Sequence, residues 1–275
     1  MLTTRSNQGH KAKPFLRWAG GKSWLVKHLH KLSELKFNRY HEAFLGGASI
    51  FFNLRPKKSF LSDLNPDLIE TYLAIQQNAP QVVSLLKGYR NDEEFYYTIR
   101  GKQFDDPIER AARFIYLNQT SFNGIYRVNL KGIYNVPFGF RTKEFLDEQN
   151  LLTAQSALKG VHLNNCDFYS ILENVKKNDL VFLDPPYTVS HNNNGFIKYN
   201  EKIFHLDDQV RLSELIDEIK RKDAYYILTN AAHKTIDEIF EKGDRKLLLS
   251  RASLIGGAKS TRGQTHEFIF TNTEL

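Results

Sequence analysis

Four consecutive residues, Asp184-Pro185-Pro186-Tyr187, come directly after the wholly apolar run Leu180-Val181-Phe182-Leu183. A short apolar run bounded by polar residues and proline is the pattern of a strand buried on both faces of a parallel sheet. In an open α/β sheet, ligands bind beyond the carboxyl ends of such strands. Two adjacent prolines lock the backbone there and remove two N–H donors, leaving carbonyls as acceptors. The Asp184 carboxylate and the Pro185 carbonyl can together accept both hydrogens of an amine. Held that way, the nitrogen keeps its lone pair out of ring conjugation and free to attack a methyl group. Tyr187 adds a flat face on which a base can stack. The competing reading, a proline-rich turn after a strand, is the weaker one, because the full tetrad directly after an apolar strand is a demanding context.

Composition narrows the partner. The chain has 275 residues, 41% of them hydrophobic, enough for a substantial core with an inserted module. Its 38 basic residues against 31 acidic ones give a formal charge of +7, which suits a phosphate-bearing partner without requiring one. Cys166 is the only cysteine, which excludes an internal disulfide framework and any multi-cysteine zinc site. The nine histidines have no ligand-like spacing, so no metal is expected. No apolar run approaches the roughly 18 residues of a membrane span, and Met1 to Asn7 lacks the apolar stretch of a signal peptide. A bacterial-type cytoplasm, or any reducing compartment with access to DNA, is the expected setting.

The elements that must position the tetrad can be read around it. Phe15 to Lys22 makes a glycine turn, followed by a helix with Trp24, Leu25, Leu29 and Leu32 at helical spacing. Strands over Tyr40 to Phe44 and Ser59 to Ser62 flank a glycine turn (Gly46-Gly47) and a short helix from Ala48 to Leu54. That strand–turn–helix–strand unit opens a parallel sheet. Pro66 to about Asn118 is helical, and Ser121 to Phe140 is a turn-rich β-hairpin standing apart from the sheet. Strands resume at Val161 to Leu163 and Leu180 to Leu183. A helix over Asp207 to Lys220, a strand over Ala224 to Thr229, a helix over His233 to Phe240, and strands over Lys246 to Ser250 and Glu267 to Thr271 complete the chain. The expected fold class is α/β: a Rossmann-like sheet from residues 1–66 and 151–275, interrupted by an inserted helical and hairpin module over 67–150.

The tetrad is shared by DNA adenine methylases, some ribosomal RNA base methylases and glutamine methylases of release factors. Other segments separate these groups. Trp18-Ala19-Gly20-Gly21-Lys22 resembles the cofactor-methionine motif of Dam-type (D12 class) N6-adenine DNA methyltransferases. Phe44-Leu45-Gly46-Gly47-Ala48 is similar to their Phe-x-Gly-x-Gly turn, and Ser62-Asp63-Leu64-Asn65 to the acid after their second strand. Phe122 to Asn129 with Asn135-Val136-Pro137-Phe138-Gly139 resembles their target-recognition hairpin. The resemblance covers about Phe15 to Phe270. It favours the DNA adenine class over an RNA-base or protein-glutamine methylase using the same tetrad, or a non-catalytic DNA-binding relative.

The resemblance implies S-adenosyl-L-methionine as cofactor, held by Trp18, Gly21, Lys22, Phe44, Gly46, Asp63 and Asp184. It implies catalysis by Asp184, Pro185, Pro186 and Tyr187 on an adenine flipped out of double-stranded DNA. Arg17, Phe122, Asn123, Arg127 and Pro137 are the implied DNA contacts, the expected target is GATC, and the expected state is a monomer or weak dimer. Some residues have rival readings. Asp63 could instead cap the helix after Asn65. Phe122 could wedge into DNA or lie in a buried hairpin core, and either arginine could contact phosphate rather than guanine. Gly21-Lys22-Ser23 is not a P-loop, because the required earlier glycine is Leu16. His191 to Gly195 reads as a loop able to close over the base, and Arg251 to Arg262 as a basic glycine loop for backbone phosphates. The chain departs from the family pattern at Ala48, where a third glycine is usual. One added methyl is expected to weaken cofactor affinity slightly at most.

Overall fold

A computed structural model describes residues 11–28, 34–129, 131–141, 144–188, 204–252 and 264–274. These fall into two compact units, one drawn from Met1–Gly21, Gly46–Arg55 and Asn65–Leu163, the other from Lys22–Leu45, Pro56–Leu64 and Asn164–Leu275.

The second unit is built on a seven-stranded sheet: β1 (Tyr40–Glu42), β2 (Ser59–Asp63), β3 (His162–Asn165), β4 (Leu180–Leu183), β5 (Tyr225–Ala231), β6 (Arg245–Ala252) and β7 (Gln264–Thr271). The strand order is β3-β2-β1-β4-β5-β7-β6. β1 runs parallel to both β2 and β4, and β4 parallel to β5, while β7 is antiparallel to β5 and to β6. The order reverses between β1 and β4, the switch point where open α/β sheets bind ligands. The apolar run at β4 is wholly buried, as its composition requires. Helix α6 (Leu206–Arg221) lays Leu212, Leu215, Ile216 and Ile219 into the same core as Val181, Leu183, Tyr226 and Leu228. That spacing is one face of a helix. Helix α7 (Lys234–Phe240) adds Ile236 and Phe240.

The first unit is mainly helical: α1 (Ser49–Leu54), α2 (Pro66–Lys87), α3 (Glu93–Gly101), α4 (Pro107–Thr120) and α5 (Glu148–Leu158). Asn65 caps α2 by accepting from the Leu68 N–H at 3.2 Å, with Pro66 in the first turn. The helix kinks at Asn78, two residues before Pro80, whose ring disfavours helical backbone upstream.

Two expectations change in detail. The helix after Gly21 is, as far as Leu25–His28, a 3-10 turn, with the Leu25 N–H bonded to the Lys22 carbonyl; Leu29 and Leu32 lie outside the described residues. The segment from Ser121 to Phe140 is a hairpin held at two isolated antiparallel bridges, Ser121↔Phe138 and Val128↔Tyr134, rather than a continuous ladder. Left-handed backbone at Asn123, Gly124 and Gly132, and the missing N–H of Pro137, break the regular pairing.

Ala48 explains its own oddity. It is the N-cap of α1, 1% exposed, at φ 54° and ψ 36°. Left-handed backbone costs an L-residue roughly 1–2 kcal/mol, which is why glycine suits this position. The burden of Ala48 is therefore strain in the turn. Ala48→Gly should raise the unfolding free energy by about 0.5–1 kcal/mol, net of the freedom glycine adds to the unfolded chain. Denaturant midpoints measure this, and a destabilised Ala48→Gly protein would contradict it.

Candidate active site

At the carboxyl end of β4, Asp184 meets a buried ammonium. Lys22 Nζ lies 2.8 Å from Asp184 Oδ1 and 3.6 Å from Glu267 Oε2. The side chains of Lys22 and Glu267 are 3% and 0% exposed, whereas that of Asp184 keeps 19%. Thr229, on the neighbouring β5, donates its hydroxyl to Asp184 Oδ1 at 2.7 Å. The Tyr187 hydroxyl donates to Glu267 Oε2 at 2.6 Å, and Lys22 Nζ sits 5.0 Å above the Tyr187 ring. Side chains from separate parts of the chain thus form one connected set of contacts.

Thr188 carries the anchoring inward. Its hydroxyl accepts from Gln209 Nε2 on α6 at 3.2 Å, and Gln209 Oε1 accepts from Asn230 Nδ2 on β5 at 2.9 Å. All three residues are buried, so the bonds satisfy groups that would otherwise be costly to desolvate. They tie the end of the tetrad to both the helix and the next strand. Pro185 is buried and Pro186 half-buried.

The electrostatics arise from this geometry. Burial pushes the Asp184 carboxyl above the ordinary aspartate range; Lys22 and the Thr229 hydrogen bond pull it back, and the Glu267 charge adds to the rise. Burial, with the charges of Glu42 and Asp184, holds the Tyr40 phenol well above its usual range, and its hydroxyl donates to Glu42 Oε2 at 2.8 Å. Lys22 and Thr229 both use Oδ1 of Asp184.

The other sheet-end residues lie where β1 and β2 finish. The Phe44 ring is 5.4 Å from Phe168 and 5.7 Å from Phe204. The Asp63 carbonyl accepts from the Asn165 amide at 2.9 Å and from the Cys166 N–H at 3.3 Å. Asn65 rather than Asp63 caps α2, which removes the rival explanation for that acid. Leu64 beside it is 62% exposed, an apolar face next to a half-buried carboxylate. This chemistry fits S-adenosylmethionine: an acid suits ribose hydroxyls, an exposed apolar side chain suits the adenine, and the Asp184 and Glu267 carboxylates suit a nearby sulfonium.

In the helical unit, Trp18 stacks on Tyr126 with ring centroids 5.6 Å apart and on Phe114 at 6.5 Å. Gly46 faces it so closely that a Cβ would lie 2.6 Å from the indole. Gly21 donates its N–H to the Trp18 carbonyl at 3.2 Å. The Arg17 N–H donates to Asn118 Oδ1 at 2.7 Å, and the Asn118 amide donates to the Arg17 and Gly124 carbonyls at 2.8 and 3.3 Å. Gly124 is left-handed, and a Cβ there would collide with the Arg17 guanidinium at Nε. Phe122 is 45% exposed, so it does not lie in a buried hairpin core. Asn123 and Arg127 are accessible, and Arg127 Nε donates to Asn135 Oδ1 at 2.9 Å; Pro137 is exposed on the returning strand.

Thr229, Glu267 and Asn118 belong to no motif in the sequence. A threonine and a glutamate inside otherwise apolar strands are the signals that could have found the first two. Residues 191–195 and 253–262 lie outside the described residues. Among the described residues, no cluster of three or more His, Cys, Asp or Glu could hold a metal, and no helix is long and apolar enough to cross a membrane.

The seven-stranded α/β fold is consistent with a methyltransferase of the S-adenosylmethionine-dependent type. The sequence profile of the D12 class N6 adenine-specific DNA methyltransferases matches residues 18–253, and the chain belongs to that family. It is 32% identical to the type II methyltransferase M1.LlaDCHI of Lactococcus lactis subsp. cremoris, covering 94% of this chain and 95% of that protein. It is 34% identical to type II methyltransferase M.MjaIII of Methanocaldococcus jannaschii, over 80% of this chain and 84% of the relative. A DNA adenine methylase of Haemophilus influenzae is 33% identical, with 84% and 83% covered.

Two measurements test these assignments. Because burial raises the Asp184 carboxyl, kcat/KM should fall on the acid side at a pH above the ordinary aspartate value, and full kcat/KM at about pH 4 would contradict this. Asp63→Ala should weaken S-adenosylmethionine binding in calorimetry with little loss of thermal stability. Asn65→Ala, which removes the α2 cap, should cost about 1 kcal/mol of stability instead. The opposite assignment of these two effects would return Asp63 to a structural role.

Proposed function

We propose that this chain transfers a methyl group to N6 of an adenine rotated out of duplex DNA, within a short guanine-flanked palindrome, GATC. The observation that carries the reading is the state of Asp184: Oδ1 is fixed by Lys22 and Thr229, and Oδ2 is used by neither. Asp184 Oδ2 and the Pro185 carbonyl accept the two amine hydrogens, turning the nitrogen lone pair out of conjugation, while Tyr187 stacks on the ring. S-adenosylmethionine, when bound, supplies the methyl group. The residues proposed to hold it are Trp18, Gly21, Lys22, Phe44, Gly46, Asp63 and Asp184. Pro186 stiffens the turn that sets the Pro185 carbonyl. No enzyme nucleophile is required. The proposed setting is the cytoplasm.

For recognition, Arg17 and Arg127 are the proposed guanine readers, each through two hydrogen bonds to O6 and N7. Asn123 and Pro137 are proposed to contact base edges, and Phe122 to enter the gap left by the flipped base. The accessibility of Phe122, Asn123 and Arg127 on one short segment supports this. The name of one relative above, a DNA adenine methylase, agrees with adenine in DNA as the substrate. The test is transfer of labelled methyl to duplex DNA, RNA and protein in parallel. Label in adenine of DNA alone is expected, and label in RNA or glutamine would overturn the reading.

Arg127→Ala tests the site. A lost bidentate contact should cost about 1–3 kcal/mol of discrimination at one base pair, leaving methylation of the intact site detectable. A phosphate contact would weaken all sequences evenly. Sequencing of methylated bases from a methylation-free host reads both outcomes, and modified adenines without a neighbouring guanine would refute the palindrome.

A further inference from the structure

We infer that Glu267, on β7 and outside the Asp184-to-Tyr187 tetrad, is a positioning residue for methyl transfer that fixes the Tyr187 phenol and shares the Lys22 ammonium with Asp184. The inference rests on the adenine-methyltransferase reading above.

A fully buried carboxylate in a strand that otherwise continues Phe268-Ile269-Phe270 is expensive unless it is paired and hydrogen-bonded. Glu267 is both. The 2.6 Å bond from the Tyr187 hydroxyl is short and charge-assisted, and it joins residues 80 positions apart. A tyrosine ring has two side-chain torsions. Pinned at its far end, it cannot rotate, so its stacking face is oriented before a base arrives. Lys22, above that ring, divides its charge between Asp184 at 2.8 Å and Glu267 at 3.6 Å. A second carboxylate keeps Lys22 from fully neutralising Asp184, which preserves Asp184 as an acceptor for the amine.

Among the described residues, the titratable groups around Asp184 are Lys22, Glu267 on β7, and Tyr40, which is paired with Glu42 on β1; Tyr187 lies beside Lys22 and Glu267. Of these, Glu267 is a negative charge that raises the Asp184 carboxyl. Removing that charge therefore lowers the pH at which Asp184 loses its ionised form.

The experiment compares wild type, Glu267→Ala, Glu267→Gln, Tyr187→Phe and the Glu267→Ala/Tyr187→Phe double variant on duplex DNA. Glu267→Ala should lower kcat about tenfold or more, and the double variant should be no slower than the slower single, because both break one bond. Glu267→Gln keeps the volume and an acceptor oxygen for Tyr187. It should lose less rate than Glu267→Ala and move the acid limb of kcat/KM to lower pH. If Glu267→Ala does not fold, the Gln variant and its pH profile carry the test. Additive losses, or an unchanged kcat and an unchanged acid limb of kcat/KM with only a lower melting temperature, would reduce Glu267 to a structural ion pair. An inactive wild type would sink both readings, whereas an active one with additive variants would sink this one alone.

Discussion

One buried ammonium shared by two carboxylates sets the terms for the sheet-based unit. Lys22 has almost no contact with water, and neither has Glu267. Charges so placed are tolerable only in mutual contact, since an unpaired buried charge costs several kcal/mol. Satisfying Lys22 therefore requires the end of β4 and Glu267 of β7 to arrive together, with Thr229 of β5 bonded to Asp184. The register delivers this: Leu183 pairs with Leu228, one residue before both Asp184 and Thr229, and Glu267 pairs with Ala231. The antiparallel β7 strand brings an acid from the carboxyl-terminal end of the chain back to a lysine near the amino terminus.

Asp184 is held at Oδ1 by Lys22 and Thr229, and neither of them uses Oδ2. Two prolines make the turn beside it rigid, and the Thr188–Gln209–Asn230 chain of hydrogen bonds anchors the backbone just beyond Tyr187. Rigidity of this kind is what an orienting site needs, because small misplacements of a reacting group cost rate steeply. In the helical unit a different constraint operates. Close backbone approach, at Gly46 against Trp18 and at Gly124 against Arg17, seats large side chains on glycine.

The tetrad, its strand and nearly every sheet element are legible in the sequence, because an apolar run and a proline pair are local patterns. The acid after β2 and the Trp18 and hairpin motifs are legible by resemblance. What escapes a sequence reading is long-range. Glu267 reads only as the first residue of a strand, because nothing local marks it as the partner of Tyr187 and Lys22. Ala48 reads as a methyl near a ligand, because the sequence does not reveal a left-handed backbone. The hairpin can be located, but its two-bridge character depends on backbone angles at Asn123, Gly124 and Gly132 that composition only hints at.

The central claim is that Asp184 works through an ionised oxygen that Lys22 and Thr229 leave to the substrate. Asp184→Asn tests it with almost no change in shape. The amide oxygen would stay with Lys22 and Thr229, placing the NH₂ where Oδ2 was, a donor facing the donors of an amine. Single-turnover transfer of methyl to adenine in duplex DNA, with cofactor binding measured in parallel, gives a direct answer. The account predicts a rate lowered at least about a hundredfold in a folded protein that still binds S-adenosylmethionine. Transfer within a few-fold of wild type would contradict it.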